Sequence, residues 1–191
     1  MVNFYFDAFP KTTYDIKKNG KLENVTNIML RYKFNNVIKN FASPYYDYIV
    51  EDGERADVIA FNEYEDYALD WLIYLTNDII DPMFDWPMSQ NTLQKYIVKK
   101  YGSIPIAQAT VHEYRKILNK QSVLFDGTIV PKRTLVVDET TYNTLSEIDR
   151  ESISKYTYEN ELNDSKRQIK LISENFVSDI LLELREVFYE E

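Results

Sequence analysis

The sequence contains no cysteine, which removes disulfides, zinc–thiolate sites and thiol nucleophiles together and leaves the redox compartment open. It has four glycines, Gly20, Gly53, Gly102 and Gly127, well below the norm of roughly 7%. Phosphate-cradling loops and dinucleotide fingerprints need clustered glycines, so both are excluded, and each glycine reads as a turn or a helix stop. Positive charge is missing from the middle of the chain: between Asn40 and Gln94 the only basic residue is Arg55. No apolar run approaches the length of a membrane span. The opening MVNFYFDAFPK is short, polar and broken by Pro10, unlike the basic-then-apolar pattern of a signal peptide. The expectation is a soluble protein made and used without export.

What is present suffices for folding. At 191 residues the chain can bury one good core, or one small core plus extensions. A hydrophobic content of 45% is too high for compositional disorder. Aromatics are abundant, with 16 Tyr and 10 Phe; large side chains with polar tips serve interfaces as well as small cores, and both uses stand open. The net charge of −9 repels phosphate backbones and anionic lipid, so neither nucleic acid nor a membrane surface is an expected partner.

In chain order, the aromatic start (Phe4, Tyr5, Phe6, Phe9) suggests a docked extended arm or an ordinary first strand. Asn24 to Phe41 has helical spacing at Val25, Ile28, Met29, Tyr32, Val37, Ile38 and Phe41, with Asn24 or Thr26 as cap and Pro44 as terminator. Tyr45 to Val50 reads as a strand and Glu51 to Glu54 as a turn. Two short helices follow, Arg55 to Tyr64 and Tyr67 to Asn77, the second apolar on several faces and therefore central or covered by a partner. Ile79-Ile80 is positioned for a short second strand. Pro82 and Pro87 bracket a compact aromatic loop, Met83-Phe84-Asp85-Trp86. Ser89 then caps a third helix through Tyr101, with Gly102 as its stop. Beyond it, Ala107 to Leu118 and Gln121 to Val137 are strand-rich, with a hairpin at Val123 to Val130 whose Asp126-Gly127 predicts a type I′ turn and whose second strand stops at Pro131. Asp138 to Ser154 reads as a loop with one short turn of helix, and Glu159 to Lys166 is simply polar. Arg167 to Ile172 alternates as either a strand or a helix end. A final helix starts after Ser173, with Phe176, Val177, Ile180, Leu181, Leu184, Val187 and Phe188 at helical spacing.

No catalytic constellation emerges. His112 has no recognisable activated Ser or Thr partner and reads as structural. Asp78, Asp81 and Asp85 cluster, as do Glu54, Glu63, Glu65 and Asp66, and a glycosidase needs only two carboxylates. With 31 acidic residues such clusters arise by chance, and Asp78 and Asp81 look like turn formers before Pro82. The spacing of a calcium loop is not matched. The residues point to no enzyme, metal or cofactor. The acidic stretch is a solvated face or a docking surface for a basic partner.

Two resemblances meet on this stretch. Tyr48-Ile49-Val50-Glu51-Asp52-Gly53, Val58-Ile59-Ala60 with Tyr64, and Leu69-Asp70-Trp71-Leu72-Ile73 with Asn77 resemble the strand–helix–helix–strand of a LysM module over residues 46–82. The longer set resembles the small baseplate wedge subunit of contractile-tailed phages of the T-even type. That set is DGERADVIA, the Trp71 helix ending in Asn77-Asp78, IIDPMFDWPMS, Lys100-Tyr101-Gly102, and Asn163 to Ile172. It spans most of residues 24–188, weakly from about 103 to 155. The resemblances imply an α+β protein: a small LysM-like β-α-α-β core with flanking helices, an appended β-hairpin region and a C-terminal amphipathic helix. The implied domains are an N-terminal arm and helix (1–44), the LysM-like core with its following helix (45–102), a strand-rich insertion (103–155) and a C-terminal helical connector (156–191). The wedge family implies a non-enzymatic virion component of the tail baseplate, assembled in the host cytoplasm in multiple copies within a symmetric assembly. There it joins neighbouring wedge subunits, and other wedge and tail proteins are its partners. An isolated LysM module implies the alternative, peptidoglycan binding. The interface candidates are Trp71, Tyr74, Phe84, Trp86, Phe176 and Phe188, each of which also fits a core role.

Overall fold

The computed structural model describes residues 4–32 and 44–189. The protein is α+β, and its elements run β1 (Lys11–Tyr14), β2 (Glu23–Thr26), β3 (Tyr45–Ile49), α1 (Ala56–Tyr64), α2 (Asp70–Thr76), α3 (Pro82–Asp85), α4 (Gln90–Tyr101) and α5 (Ile104–Ala109). They continue β4 (Val111–Asn119), β5 (Ser122–Val123), β6 (Ile129–Val130), β7 (Arg133–Val137), α6 (Glu139–Thr144), β8 (Arg150–Ser154), α7 (Lys155–Ser165), β9 (Gln168–Ile172) and α8 (Val177–Tyr189). They form two compact units, one of residues 1–87 with 166–191 and the other of 88–165.

In the first unit, β3 pairs antiparallel with β9, from Tyr45 opposite Ile172 to Ile49 opposite Gln168. The ladder is extended at both ends, where Val50 N–H donates to Arg167 O (2.9 Å) and Ser173 N–H to Pro44 O (2.8 Å). The alternation in β9 puts Ile169 and Leu171 on the buried face, against Ile59 and Ala60 of α1 and Leu72 and Ile73 of α2. Burying each Leu or Ile stabilises by about 1.5–3 kcal/mol. Helix α8 adds Val177, Ile180 and Leu184 to the same core; their 3–4 residue spacing is the apolar stripe expected for that segment.

Two expectations are corrected here. The second strand is not Ile79-Ile80 but β9. Ile79 N–H turns back to Tyr74 O (2.9 Å) and Asp78 adopts φ 54°, so the chain leaves the helix sideways and Ile80 stays exposed. The place beside β9 is taken by a side chain: Asn77 Nδ2 donates to Lys170 O (2.9 Å) and Lys170 N–H donates to Asn77 Oδ1 (2.8 Å), as a neighbouring strand would. The expected helix from Asn24 likewise gives way to β2, which pairs with β1 from Thr26–Lys11 to Glu23–Tyr14. Asn27 then accepts from Met29 N–H (3.2 Å) in a local turn that competes with helix formation. The rest of that predicted helix, residues 33–41, lies outside the described residues.

In the second unit, α4 starts and stops where its residues predict. The Ser89 hydroxyl accepts from Thr92 N–H, and Gly102 closes the helix at φ 91°, a conformation costly for any residue with a Cβ. Leu93 and Ile97 of α4 pack with Ala107 of α5, so residues 107–109 are helical and the strand region begins only at Val111. The sheet is antiparallel in the order β7-β4-β8. The β4–β7 ribbon continues as the short β5–β6 pair, which ends before Pro131. Its turn is not type I′. Gly127 has φ 83° while Asp126 does not have positive φ, and Leu124 pairs with Thr128 (2.8 Å) around a three-residue tip. That is the type I turn with a glycine bulge. Helix α6 supplies the short helical turn expected within the polar stretch after β7, capped by Asp138, whose carboxylate accepts from Thr140 and Thr141 N–H.

Candidate protein-docking site

Helix α2 exposes one aromatic flank. The capping carboxylate of Asp66, which accepts from Ala68 N–H (3.0 Å), starts a 3-10 turn at Tyr67–Leu69 that leads into α2. Leu72 and Ile73 then face the core, while Trp71, Tyr74 and Leu75 face a groove of about 370 Å³. Its opposite wall is the N-terminal segment, with Tyr5 and Phe6 on one side and residues 28–31 on the other, and Ile79 and Ile80 close its end. The Tyr5 ring lies 5.3 Å from that of Trp71 and 4.8 Å from Phe9, and the Tyr5 hydroxyl accepts from Tyr32 N–H (3.1 Å). The N-terminal aromatics therefore hold the arm against α2.

The loop after the groove is built by its carboxylates. Asp81 caps α3 by accepting from Met83 N–H (3.0 Å), with Pro82 preset for the first helical position. Asp85 accepts from Asp81 N–H (3.1 Å). Trp86 meets Tyr74 edge-on at 5.7 Å, and its indole N–H donates to Glu54 O (2.9 Å). The Glu54 carboxylate in turn accepts from Tyr48 Oη (2.8 Å) and Glu51 N–H (2.9 Å). Burial and then that hydrogen bond push the Tyr48 hydroxyl up to about 12, so it donates at any ordinary pH. Burial likewise raises Asp70, against a backbone hydrogen bond from Trp71. Arg167 ties down the same turn through Val50 O (3.2 Å) and Asp52 (3.0 Å), and Lys166 donates to Phe84 O. Of the carboxylates that a glycosidase reading would enlist, Asp66 and Asp81 cap helical turns, Asp85 and Glu54 close turns, and Glu63 accepts from the Tyr46 hydroxyl. His112 stacks on Tyr158 at 3.7 Å.

The interface candidates divide. Trp71 is buried, with its edge in the groove; Tyr74 and Trp86 are half-buried beside it; Phe84 is 52% exposed on α3. Phe176 sits on the turn before α8, partly exposed. The side chain of Phe188 lies outside the described residues. Sequence reasoning missed Met29, Ile80 and Met83, which are 89%, 71% and 75% exposed. Their signal was present: large apolar side chains beside turn formers, Asn27 and Asp81, with no long helix or strand to turn them inward.

Among the described residues no helix is long and apolar enough to cross a membrane. No curated protein matches the chain. A family model described as base plate wedge protein 53 matches residues 1–121, a stretch that contains the whole groove and the Trp86 loop. More than half of the sequence falls under that description, and this chain therefore belongs to the phage base plate wedge protein 53 family, whose members are structural components of the tail baseplate.

Proposed function

We propose that the chain is a connector that joins neighbouring wedge subunits during baseplate assembly, and that the groove between the N-terminal segment and α2 is one of its docking surfaces. The observation that carries this reading is the set of exposed apolar side chains that line the groove, Phe6, Ile28, Met29 and Ile80, followed by exposed Met83 and Phe84 on α3. A contiguous apolar patch of this kind is costly to leave in water and marks a contact surface. Trp71 and Tyr74 supply the anchoring aromatic floor that interface hot spots favour. Non-enzymatic action, assembly in the host cytoplasm and several copies per virion belong to the same proposal.

The test is co-expression with the other wedge proteins of the same phage, followed by capture through a tag on this chain. Ile80→Asp and Met83→Asp, both at exposed positions, should reduce co-capture at least tenfold while leaving the circular dichroism spectrum intact. Undiminished capture by the double variant would remove the groove from the interface. The spatial order β3, α1, α2, β9 favours a second reading, a LysM-type peptidoglycan-binding module. Sedimentation with purified cell-wall sacculi decides it, and absence from the pellet at moderate salt eliminates it.

A further inference from the structure

The charge of this chain is segregated. Residues 44–87 hold twelve acidic side chains against Arg55 alone, a net charge of −11, whereas the whole chain carries −9. Everything outside that stretch is therefore slightly basic. Asp78 and Asp81 adjoin in sequence the groove residues Ile79 and Ile80, and all of these but Ile79 are exposed; the charged residue in the lining itself is Arg31.

The β4–β7 ribbon has the opposite character. Residues 116–133 carry four cations, Lys116, Lys120, Lys132 and Arg133, and one carboxylate, Asp126. Their tip is apolar and unpacked: Val123 is 66% exposed, Leu124 51%, Ile129 61%, and Phe125 is fully exposed at the turn. Among the described residues the tip strands, two residues each, pair only with each other. Exposing a phenylalanine that could bury 150–250 Å² is costly unless something covers it.

We propose that the ribbon tip of one copy seats in the groove of a second copy. Phe125 enters the floor formed by Trp71, Tyr74 and Ile80, and Lys120 and Arg133 meet the carboxylates of Asp78 and Asp81. A groove of about 370 Å³ is at the small end for binding pockets, which suits one anchoring aromatic with an aliphatic neighbour and is too small for a whole helix face. The paired charges are opposite in sign, so attraction sets the register and the contact weakens with salt. Knob and groove are different surfaces, so the contact is head-to-tail and either closes into a ring or runs on. The inference rests on the docking role of the groove and adds its occupant.

The experiment uses the full chain in sedimentation velocity from about 1 to 100 µM. Wild type should associate with rising concentration, less at 500 mM than at 50 mM salt, and Phe125→Asp and Ile80→Asp should each be monomeric. Both positions are exposed, and unchanged circular dichroism confirms folding. Mixing the two variants is decisive: Phe125→Asp keeps its groove and Ile80→Asp keeps its ribbon, so the mixture should form a dimer and nothing larger. A monomeric wild type at 100 µM, an associating Phe125→Asp, or a mixture that stays monomeric overturns the inference. If wedge proteins are still captured through the groove in that case, the docking reading survives and only the occupant is wrong. If the Ile80→Asp and Met83→Asp double variant captures them undiminished, the docking reading fails too.

Discussion

Asn77→Asp is the smallest change that tests how the first unit is closed. The Asn77 amide donates to Ile73 O and Lys170 O, each at 2.9 Å, and accepts from Lys170 N–H at 2.8 Å. Aspartate has the same shape and keeps the accepted bond, but loses both donated ones and faces two carbonyl oxygens with a negative charge. Each lost bond costs about 1 kcal/mol, for a total of about 2 kcal/mol; the Ile73 carbonyl keeps the bond from Asn77 N–H (3.2 Å). The protein has two tryptophans, Trp71 and Trp86, and both lie in the first unit, so tryptophan fluorescence follows that unit alone. With a urea dependence of about 1.5 kcal/mol per molar, the midpoint should fall by about 1.3 M at pH 7. Protonating the new carboxyl restores one donor, so the introduced group is raised in the folded state and the deficit should narrow as pH falls below 5. A midpoint within 0.3 M of wild type, or a deficit as large at pH 4 as at pH 7, would refute the reasoning.

Trp86→Phe keeps the edge-on contact with Tyr74 but removes the indole donor to Glu54 O; about 1 kcal/mol should be lost, read from the remaining Trp71 emission in urea. Leu72→Ala empties a fully buried site and should cost about 2–5 kcal/mol by the same measurement. In the second unit, burial pushes the Glu159 carboxyl up, but hydrogen bonds from Lys100 and Tyr101, both at 2.7 Å, outweigh it and leave it below its ordinary value. Protonation therefore opposes folding. Its contribution is complete above the ordinary carboxylate range and fades as pH falls through the lowered value. Glu159→Gln should lower the thermal midpoint at pH 7 and flatten its decline toward pH 3, and an unchanged acid limb would count against that ion pair.

The sequence disclosed what local chemistry encodes. Ser89 and Gly102 bound α4 because a hydroxyl cap and a glycine stop act within one turn of the backbone. The ribbon at 123–130 was legible from Asp126-Gly127, but the turn type was not, because the same dipeptide serves a two-residue and a three-residue loop. Helix α7 was missed because its buried positions are polar. Glu159 answers Lys100 and Tyr101, and Asn163 exchanges hydrogen bonds with Met88 N–H (2.7 Å) and O (2.9 Å), so no hydrophobic period betrays the inward face. The mate of β3 was misplaced because pairing across some 120 residues leaves no local trace, whereas Ile79-Ile80 offered a β-prone pair close by. Of the candidate site, the Trp71 and Tyr74 flank of α2 followed from a helix apolar on too many sides. The N-terminal lining did not, because Ile28 and Met29 were assigned to the apolar positions of a helix that β2 and its turn replace.

The pairing of Tyr45 with Ile172 also orders events on the ribosome. Residues 88–165 form one unbroken stretch and can settle as soon as they emerge. The earlier unit must wait for β9, and at about 10 residues per second that strand is made roughly 13 s after β3. For that interval the faces of α1 and α2 meant for Leu171 and Ile172 stay uncovered, so the half-made chain, rather than the finished one, is the species that most needs a chaperone.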